Sequence, residues 1–300
     1  MEYNKIEDSR LNDWIRAGKV AYEAVEYSKK IIKRGARFYD VAEMIEKKIR
    51  ELGCEPGFPV NLSTNEFAAH MTPKINDDMV FEDQVVKVDI GTSCNGAIGD
   101  TAYTIDLSGK YNDLIKASVE ALENAIKILR PGVKLGEIGR TIQETIESHG
   151  YVPVRNLSGH GLGLYSVHSP PGIPNFDNKD NTELKEGQIV AIEPFATDGH
   201  GLIKEHGSAE IFSMASNKAV RSRMARELLR EIEKYNGLPF AKRHLAKRLS
   251  PMKISIGLRE LLQNKNLEAY PPLVEVNKGI VSQHEHSFII GEKLRVLTKH

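Results

Sequence analysis

Apolar residues recur at intervals of three and four along much of the first half of the chain, which is the spacing of an amphipathic helix. The pattern predicts four helices before residue 151, each stopped by a glycine or by Pro131-Gly132. Asp40 is expected to cap the second helix, with Glu43 completing a capping box three residues later. The predicted spans are Leu11–Ile32, Asp40 to just before Gly53, Asp113–Leu129 and Glu137–Ser148.

Two runs of β-branched and apolar residues follow the second predicted helix and predict an antiparallel strand pair. Their expected spans are Asp83–Ile90 and Asp100–Leu107, and the hairpin-turn signal Asn95-Gly96 lies between them. A two-residue turn there fixes the register so that Asp89 and Asp100 share one face as diagonal neighbours. Two carboxylates on one buried face repel each other, and a cation bound between them would offset that repulsion.

The strand that ends in Asp89 has a second copy later in the chain. Residues 83–89 (DQVVKVD) and 187–193 (GQIVAIE) share a glutamine, β-branched positions and a final carboxylate, at an offset of 104 (193 − 89). Taken alone, each copy is also typical of an amphipathic strand that happens to end in an acid. Because an unpaired acid inside a strand is costly, two matched copies favour two related halves that deliver Asp89 and Glu193 to one centre.

The second half also contains a counterpart of Asp100. Glu285 lies in residues 283–287 (QHEHS), where a strand is expected to return beside Glu193. By itself, Glu285 is typical of a solvated acid at a strand edge, and only the repeat makes it a candidate ligand. His160, in the glycine-rich stretch Ser158–Gly163, is a further candidate, although a histidine in such a stretch is also common in ordinary loops. Four carboxylates and one imidazole suit Mn²⁺, Fe²⁺, Co²⁺ or Zn²⁺ rather than a structural site of thiolates.

A change of composition after Pro194 predicts an insertion. Residues 217–264 are rich in Arg, Lys, Glu and Leu, and no strand pattern is recognisable from there until Ile280. A last strand pair, Ser287–Ile290 and Leu294–Leu297, then resumes the style of the first part. We therefore expect one main domain (residues 1–204 and 272–300) and a mainly helical insertion (residues 205–271). A basic cluster in the insertion is interpreted as a solvated helix face: Lys242, Arg243, Lys247 and Arg248.

Composition narrows the class of protein. The 41 Lys and Arg residues balance the 41 Asp and Glu residues, so the net charge carries no signature of nucleic-acid or membrane-surface binding. No apolar run approaches the roughly 20 residues of a membrane span, and the polar start has no signal-peptide pattern. Cys54 and Cys94 lack the spacing of a metal-binding pair, and we expect two free thiols in a reducing cytoplasm rather than one disulfide.

At these motifs the sequence resembles the methionine aminopeptidases, in particular the archaeal form of the type II enzymes. The resemblance extends from about Asp13 to Leu297. It implies an α+β pita-bread fold, in which two pseudo-twofold-related halves surround a curved antiparallel sheet with metals at its centre. It also implies a monomeric cytoplasmic enzyme that removes the initiator methionine from nascent proteins, with a transient ribosome contact and no membrane or specific nucleic-acid partner. The resemblance is carried by Ala68–His70, Val88–Gly91, Gly99–Ala102, Asn156–His160, Ala191–Glu193 and Gln283–His286.

The resemblance implies a role for each candidate ligand. Two divalent ions (Co, Mn, Fe or Zn) would be held, with Asp89 binding one of them and His160 and Glu193 binding the other. Asp100 and Glu285 would bridge both ions. Glu193 would also pass a proton from water to the leaving amine.

The resemblance also implies substrate-side residues. His70 and His168 match the family's substrate-side histidines, and Phe58 and Val167 match positions that line the methionine side-chain pocket. The histidine that the family has in the pocket wall is not evident, and Ile211 is expected near its place.

Two other functions fit parts of the sequence. A prolidase or aminopeptidase P of the same fold would use a similar metal set, although the eight-residue spacing of His160 and His168 and the long insertion favour the type II methionine enzyme. A metal-free relative that binds ribosomes or RNA could use the basic cluster of the insertion. The presence of all five candidate ligands argues against that reading.

Overall fold

The structure is a computed structural model that describes residues 8–299, and it has the expected α+β architecture. Two short 3₁₀ turns lie at Asp8–Arg10 and Glu233–Tyr235. Within residues 8–299, no helix has the length and apolar character required to cross a membrane. The α-helices are α1 (Leu11–Ile31), α2 (Phe38–Glu51), α3 (Asn112–Ile128), α4 (Leu135–Ser148), α5 (Arg223–Ile232), α6 (Lys242–Ala246) and α7 (Pro251–Gln263).

The strands form five antiparallel sheets among the described residues, and two of these carry the candidate ligands. They are β1 (Glu55–Pro56), β2 (Asn61–Thr64), β3 (Phe67–Ala69), β4 (Val85–Cys94), β5 (Ala97–Asp106), β6 (Val152–Pro153), β7 (Ser158–Gly163), β8 (Ser166–Pro174), β9 (Ile189–Ile192), β10 (Phe195–Thr197), β11 (Ile203–Glu205), β12 (Ile211–Met214), β13 (Phe240–Ala241), β14 (Leu267–Tyr270), β15 (Leu273–Glu275), β16 (Val281–Gln283), β17 (His286–Ile289) and β18 (Arg295–Val296).

Two helix pairs and their cores divide the main part of the chain into similar halves. In the first half, α1 and α2 cover the sheet that contains β2, β4 and β5, and their apolar faces share one core with it. In the second half, α3 and α4 share a core with β9, β10 and β17. The four predicted helices are confirmed to within a few residues, and the duplicated architecture agrees with the sequence repeat.

The start of the second helix differs from the prediction. Helix α2 begins at Phe38, and Arg37 occupies the N-cap position without a side-chain cap. Asp40, the predicted cap, lies in the first turn instead. Phe38 is 1% exposed and stacks on Phe81, so burial of this aromatic ring favours the earlier start over the capping-box pattern.

The inserted region contains more strand than the sequence indicates. Strands β12, β13 and β14 form their own sheet, and α5, α6 and α7 share a core with it. The expectation of no strand before Ile280 is therefore wrong, because β13, β14 and β15 lie in that interval. These strands are two to four residues long and pair with distant partners, which leaves little local pattern. At the base of the insertion, β11 pairs with β15.

The two cysteines form a disulfide, so the expectation of two free thiols is wrong. Strand β1 pairs with β4 so that Glu55 lies opposite Ser93. This pairing brings the neighbouring Cys54 and Cys94 within a Cα–Cα distance of 4.8 Å, inside the first core. Strand β1 is only two residues long, and the sequence gives no sign of it.

Candidate metal centre

The first hairpin places Asp89 and Asp100 as the turn signal predicts. Strands β4 and β5 pair with Cys94 opposite Ala97 and Gly91 opposite Asp100, which confirms the register. Gly91 is needed there, because a Cβ atom at this position would lie 2.2 Å from the ring of Phe58. The ring therefore packs over the strand directly opposite Asp100.

The pairing of β9 with β17 brings Glu193 and Glu285 to the same place. Strand β9 ends at Ile192, opposite His286 of β17, so the two acids lie at one end of this strand pair. Glu285 is joined to the first hairpin by its backbone: its N–H donates to the Ala102 carbonyl at 3.0 Å, and its carbonyl accepts from the Thr101 hydroxyl at 2.8 Å. These bonds join the β4–β5 hairpin to the β9–β17 strand pair.

His160 completes the group from a neighbouring strand. It lies on β7 opposite Ala191 of β9, and its Nε2 atom is 3.8 Å from Asp100 Oδ2 and 3.7 Å from Glu193 Oε1. One ligand atom each from Asp100, His160 and Glu285 lies within 4.8 Å of the others. The residues that the sequence proposed as ligands are therefore brought together from positions 89 to 285.

The electrostatics of this group favour a bound cation. Burial raises the pKa of Asp89 to about 7. Burial, followed by repulsion among the neighbouring carboxylates, raises the pKa values of Asp100, Glu193 and Glu285 well above their usual range. Asp89 Oδ1 and Glu285 Oε1 are buried with no hydrogen-bond partner among the described residues. Burial also lowers the pKa of His160 to about 3, so its imidazole is neutral at pH 7. A neutral imidazole beside carboxylate oxygens that lack hydrogen bonds fits the donor set of a divalent ion.

A cavity of about 340 Å³ opens onto the five candidate ligands. The residues proposed for the substrate side all line it: Phe58, His70, Val167, His168 and Ile211. His70 has φ +62°, a left-handed conformation that is strained for a residue with a Cβ atom. Burial lowers the pKa of His70 to about 4, so the ring is neutral at pH 7.

Four further residues line the cavity and were not singled out from the sequence. Asn61 pairs with Asp89 across β2 and β4, Phe195 lies on β10, and Pro239 and Tyr270 come from the inserted region. The Tyr270 ring lies 5.7 Å from that of His70 and 6.5 Å from that of His168. The only local signal there is Tyr270-Pro271-Pro272, a proline pair that indicates a break in regular structure and not a cavity contact.

Comparisons with known proteins agree with this site. The profile of metallopeptidase family M24 matches residues 14–221. A methionine aminopeptidase from Methanocaldococcus jannaschii is 45% identical over 288 residues, which cover 95% of this chain and 97% of that protein. The chain belongs to metallopeptidase family M24.

Solved structures of this family share the fold. A methionine aminopeptidase from Thermotoga maritima matches with a TM-score of 0.72 at 24% identity, and the match covers 100% of both chains. A prolidase from Pyrococcus furiosus matches with a TM-score of 0.65 at 19% identity, over 99% of this chain and 65% of the prolidase. The expected pita-bread fold is thereby confirmed, and the fold alone does not separate the two activities.

Proposed function

We propose that this protein is a metal-dependent aminopeptidase that removes the N-terminal methionine from nascent proteins in the cytoplasm. The observation that carries the proposal is the convergence of five ligand-type residues, three buried and two half-buried, on the cavity of a chain similar to a methionine aminopeptidase. Two of them have carboxylate oxygens without a hydrogen-bond partner among the described residues. The similarity to that relative is far higher than the 19% identity to the prolidase.

The ligand assignments come from the family resemblance, and they are supported by the position of all five residues on one cavity. Asp89 would hold one divalent ion, His160 and Glu193 would hold the other, and Asp100 and Glu285 would contact both. When bound, two divalent ions of Co, Mn, Fe or Zn lower the pKa of water, polarise the scissile carbonyl and attract the free α-amine.

Glu193 is the group best placed to move a proton. Gln283 donates a hydrogen bond to Glu193 Oε2 at 3.0 Å, and this bond fixes the orientation of the carboxylate. The other oxygen, Oε1, faces His160. A carboxylate held in this way can take a proton from water and deliver it to the leaving amine.

His70 and His168 serve the substrate. His70 lines the cavity beside the candidate ligands, and we assign its neutral ring to the reacting amide. The His168 ring makes an edge contact with the His160 ring at 4.6 Å, and we assign His168 to orienting the substrate carbonyl. Both roles act on charge that develops as the peptide bond breaks.

The methionine side chain fits the apolar wall of the cavity. Phe58 and Val167 are 8% and 6% exposed and belong to one apolar cluster. Ile211, 4% exposed, lines the same cavity and adds a further apolar surface. An unbranched thioether can fill such a space, since it adapts to irregular apolar surroundings.

Cleavage specificity tests this proposal. Purified protein loaded with Mn²⁺ or Co²⁺ is incubated with Met-Ala-Ser, N-acetyl-Met-Ala-Ser and Ala-Pro-Ser, and products are followed by mass spectrometry. We expect release of methionine from the first peptide alone. Preferential cleavage of Ala-Pro-Ser would instead identify an aminopeptidase P, and cleavage of the dipeptide Ala-Pro, assayed alongside, would identify a prolidase. No cleavage of any of these peptides under any metal would support a binding protein.

We also propose that the enzyme acts as a monomer that contacts the ribosome transiently, without a membrane or specific nucleic-acid partner. The support is the nature of the substrate, a chain still emerging from the ribosome, together with a net charge of +0. Sedimentation of the protein with translating and with empty ribosomes tests the contact, and we expect enrichment on the translating ones.

A further inference from the structure

A buried ion cluster joins the insertion to the first half of the molecule. Arg243 of α6 is 1% exposed, and its guanidinium contacts the fully buried carboxylate of Glu46 on α2. His244 lies beside it, 2.9 Å from Glu46 Oε2. The interpretation of Arg243 as part of a solvated basic face is therefore wrong, and its neighbour His244 is also buried, at 8% exposed. Lys247 and Arg248 of the same basic cluster are exposed.

This cluster already contains its cation. Glu43, Glu46 and His244 could together offer three ligand atoms within 4.8 Å of one another. Arg243, however, contacts Glu46 and also lies 3.4 Å from Glu43 Oε1. Although burial raises the pKa of Glu46, the charges of Arg243 and His244 outweigh it and lower that pKa to about 2. Glu46 is thus ionised and paired at neutral pH, and the cluster has no need of a metal.

Arg243 and Glu46 belong to a closed ring of hydrogen bonds. Arg243 Nη1 donates to the Thr72 hydroxyl at 2.7 Å, and that hydroxyl donates to the Val60 carbonyl at 2.8 Å. The Val60 N–H donates to Glu46 Oε1 at 3.3 Å, and Arg243 Nη2 donates to the same oxygen. The ring therefore links four separate segments: α2, the start of β2, the chain after β3, and α6.

Two of these segments carry substrate-side residues. Val60 lies two residues after Phe58, and Thr72 lies two residues after His70, so the ring is anchored just behind both side chains. His70 has a strained backbone, and such a conformation persists only where the surroundings fix it. Near Thr72, the N–H of Leu62 also donates to the Met71 carbonyl at 2.7 Å, and Ala69 pairs with Leu273 across β3 and β15. To these backbone links the ring adds a side-chain connection between this segment and α6.

We propose that Arg243 and Thr72 are positioning residues of the peptidase site. This inference rests on the proposed function. The guanidinium of Arg243, which belongs to the insertion, acts through the Thr72 hydroxyl and fixes the positions of His70 and Phe58. A displacement of about 1 Å at such a position can cost up to about 100-fold in rate. The insertion thereby contributes to catalysis from outside the cavity.

Paired substitutions at Thr72 test the proposal. Thr72→Val keeps the shape of the side chain but removes the hydroxyl, whereas Thr72→Ser keeps the hydroxyl and removes a methyl group. We expect kcat/KM for Met-Ala-Ser, at saturating metal and per folded molecule, to fall about 10- to 100-fold in Thr72→Val. Thr72→Ser should stay within about threefold of wild type, even where its Tm is lower. Wild-type kcat/KM in both variants, with Tm lowered in either, would overturn the proposal.

A second pair tests the contribution of the insertion. Arg243→Lys keeps a positive charge for Glu46 but loses the planar fork whose two nitrogens, Nη1 and Nη2, bond Thr72 and Glu46 separately. Arg248→Met removes the exposed partner of Glu231 on the same surface. We expect the first variant to lose at least about tenfold in kcat/KM and the second to be unchanged. Equal activity of both would overturn the proposal. If Arg243→Lys does not fold, the Thr72 pair decides. An inactive wild-type protein would instead reject the proposed function.

Discussion

Asp100 illustrates at the residue scale how neighbouring groups determine what a buried side chain can do. It is 2% exposed, and its carboxylate faces the acids Asp89 and Glu285 as well as His160. Its backbone N–H and carbonyl both bond to the hydroxyl of Ser287, at 2.9 Å and 2.6 Å. The position of the carboxylate is thus fixed by the backbone rather than by the charge of the side chain.

Replacing Asp100 with asparagine should separate charge from structure. We expect Asp100→Asn to fold normally and to lose activity by more than about 100-fold, because an amide cannot offset two dications. The matched control is Asp83→Asn, whose side chain is 69% exposed and pairs with Arg34; it should retain full activity. Circular dichroism and kcat for Met-Ala-Ser at matched metal loading give the comparison. Activity of Asp100→Asn within tenfold of wild type would rule out the bridging role.

His70→Ala tests whether this histidine acts on the reaction or only fills space. We expect kcat and kcat/KM to fall together by about 10²–10³-fold with little change in KM, as for loss of one oxyanion donor. His206→Ala, at an exposed histidine, is the control. Normal kcat in the folded fraction of His70→Ala, with only its Tm lowered, would assign His70 a packing role.

At the scale of elements, the sequence predicted the strand pairs that depend on a local turn or on the internal repeat. The Asn95-Gly96 turn sets the β4–β5 register, and the repeat located the β9–β17 pair. Both strand pairs that carry candidate ligands could therefore be predicted from the sequence. Strand β1 and the disulfide depend on a distant two-residue pairing, and β13 and β14 depend on the packing of the insertion. Pro239 and Tyr270 reach the cavity through that packing, which no local pattern encodes. The limits 205–271 of the insertion stay a prediction.

The contact between α2 and α6 predicts that wild type and Glu46→Gln differ in their free energy of unfolding by an amount that depends on pH. Because the folded-state pKa of Glu46 is lowered to about 2 from 4.5, its ionised form stabilises the protein above pH 4.5. This contribution is lost as the pH falls from 4.5 towards 2. We expect Glu46→Gln to be less stable than wild type by a few kcal/mol at pH 7 and the difference to shrink by pH 3.5. Urea unfolding at both pH values measures it; a constant difference would contradict the ion pair.

At the scale of the whole molecule, the two halves meet at a centre of like charges. Without cations, the ionisation of these acids opposes the association of the β4–β5 hairpin with the β9–β17 strand pair. Asp89 has a folded-state pKa of about 7, raised from 3.8. Its contribution to the free energy of unfolding is therefore most favourable below pH 3.8 and is lost as the pH rises through 7. The cation requirement is therefore a property of the assembled halves and not of either half alone.

Metal removal should accordingly lower stability in a pH-dependent manner. We expect the chelated protein to melt at a lower temperature than the Mn²⁺-loaded protein at pH 7.5, and the gap to narrow at pH 5.5 as the acids take up protons. Thermal scans with and without chelator provide the measurement, and Asp83→Asn should behave like wild type. A Tm that does not respond to metal at concentrations that restore activity would be inconsistent with a cation at this centre.

The most direct test of the central claim is a metal titration followed by methionine release. Protein stripped with chelator receives Mn²⁺ or Co²⁺ in steps, and free methionine from Met-Ala-Ser is measured together with the bound metal. The account predicts no release without metal, and release that increases as metal binds at this centre and is absent in Asp100→Asn. Full methionine release from stripped wild-type protein, or equal release by Asp100→Asn, would contradict it.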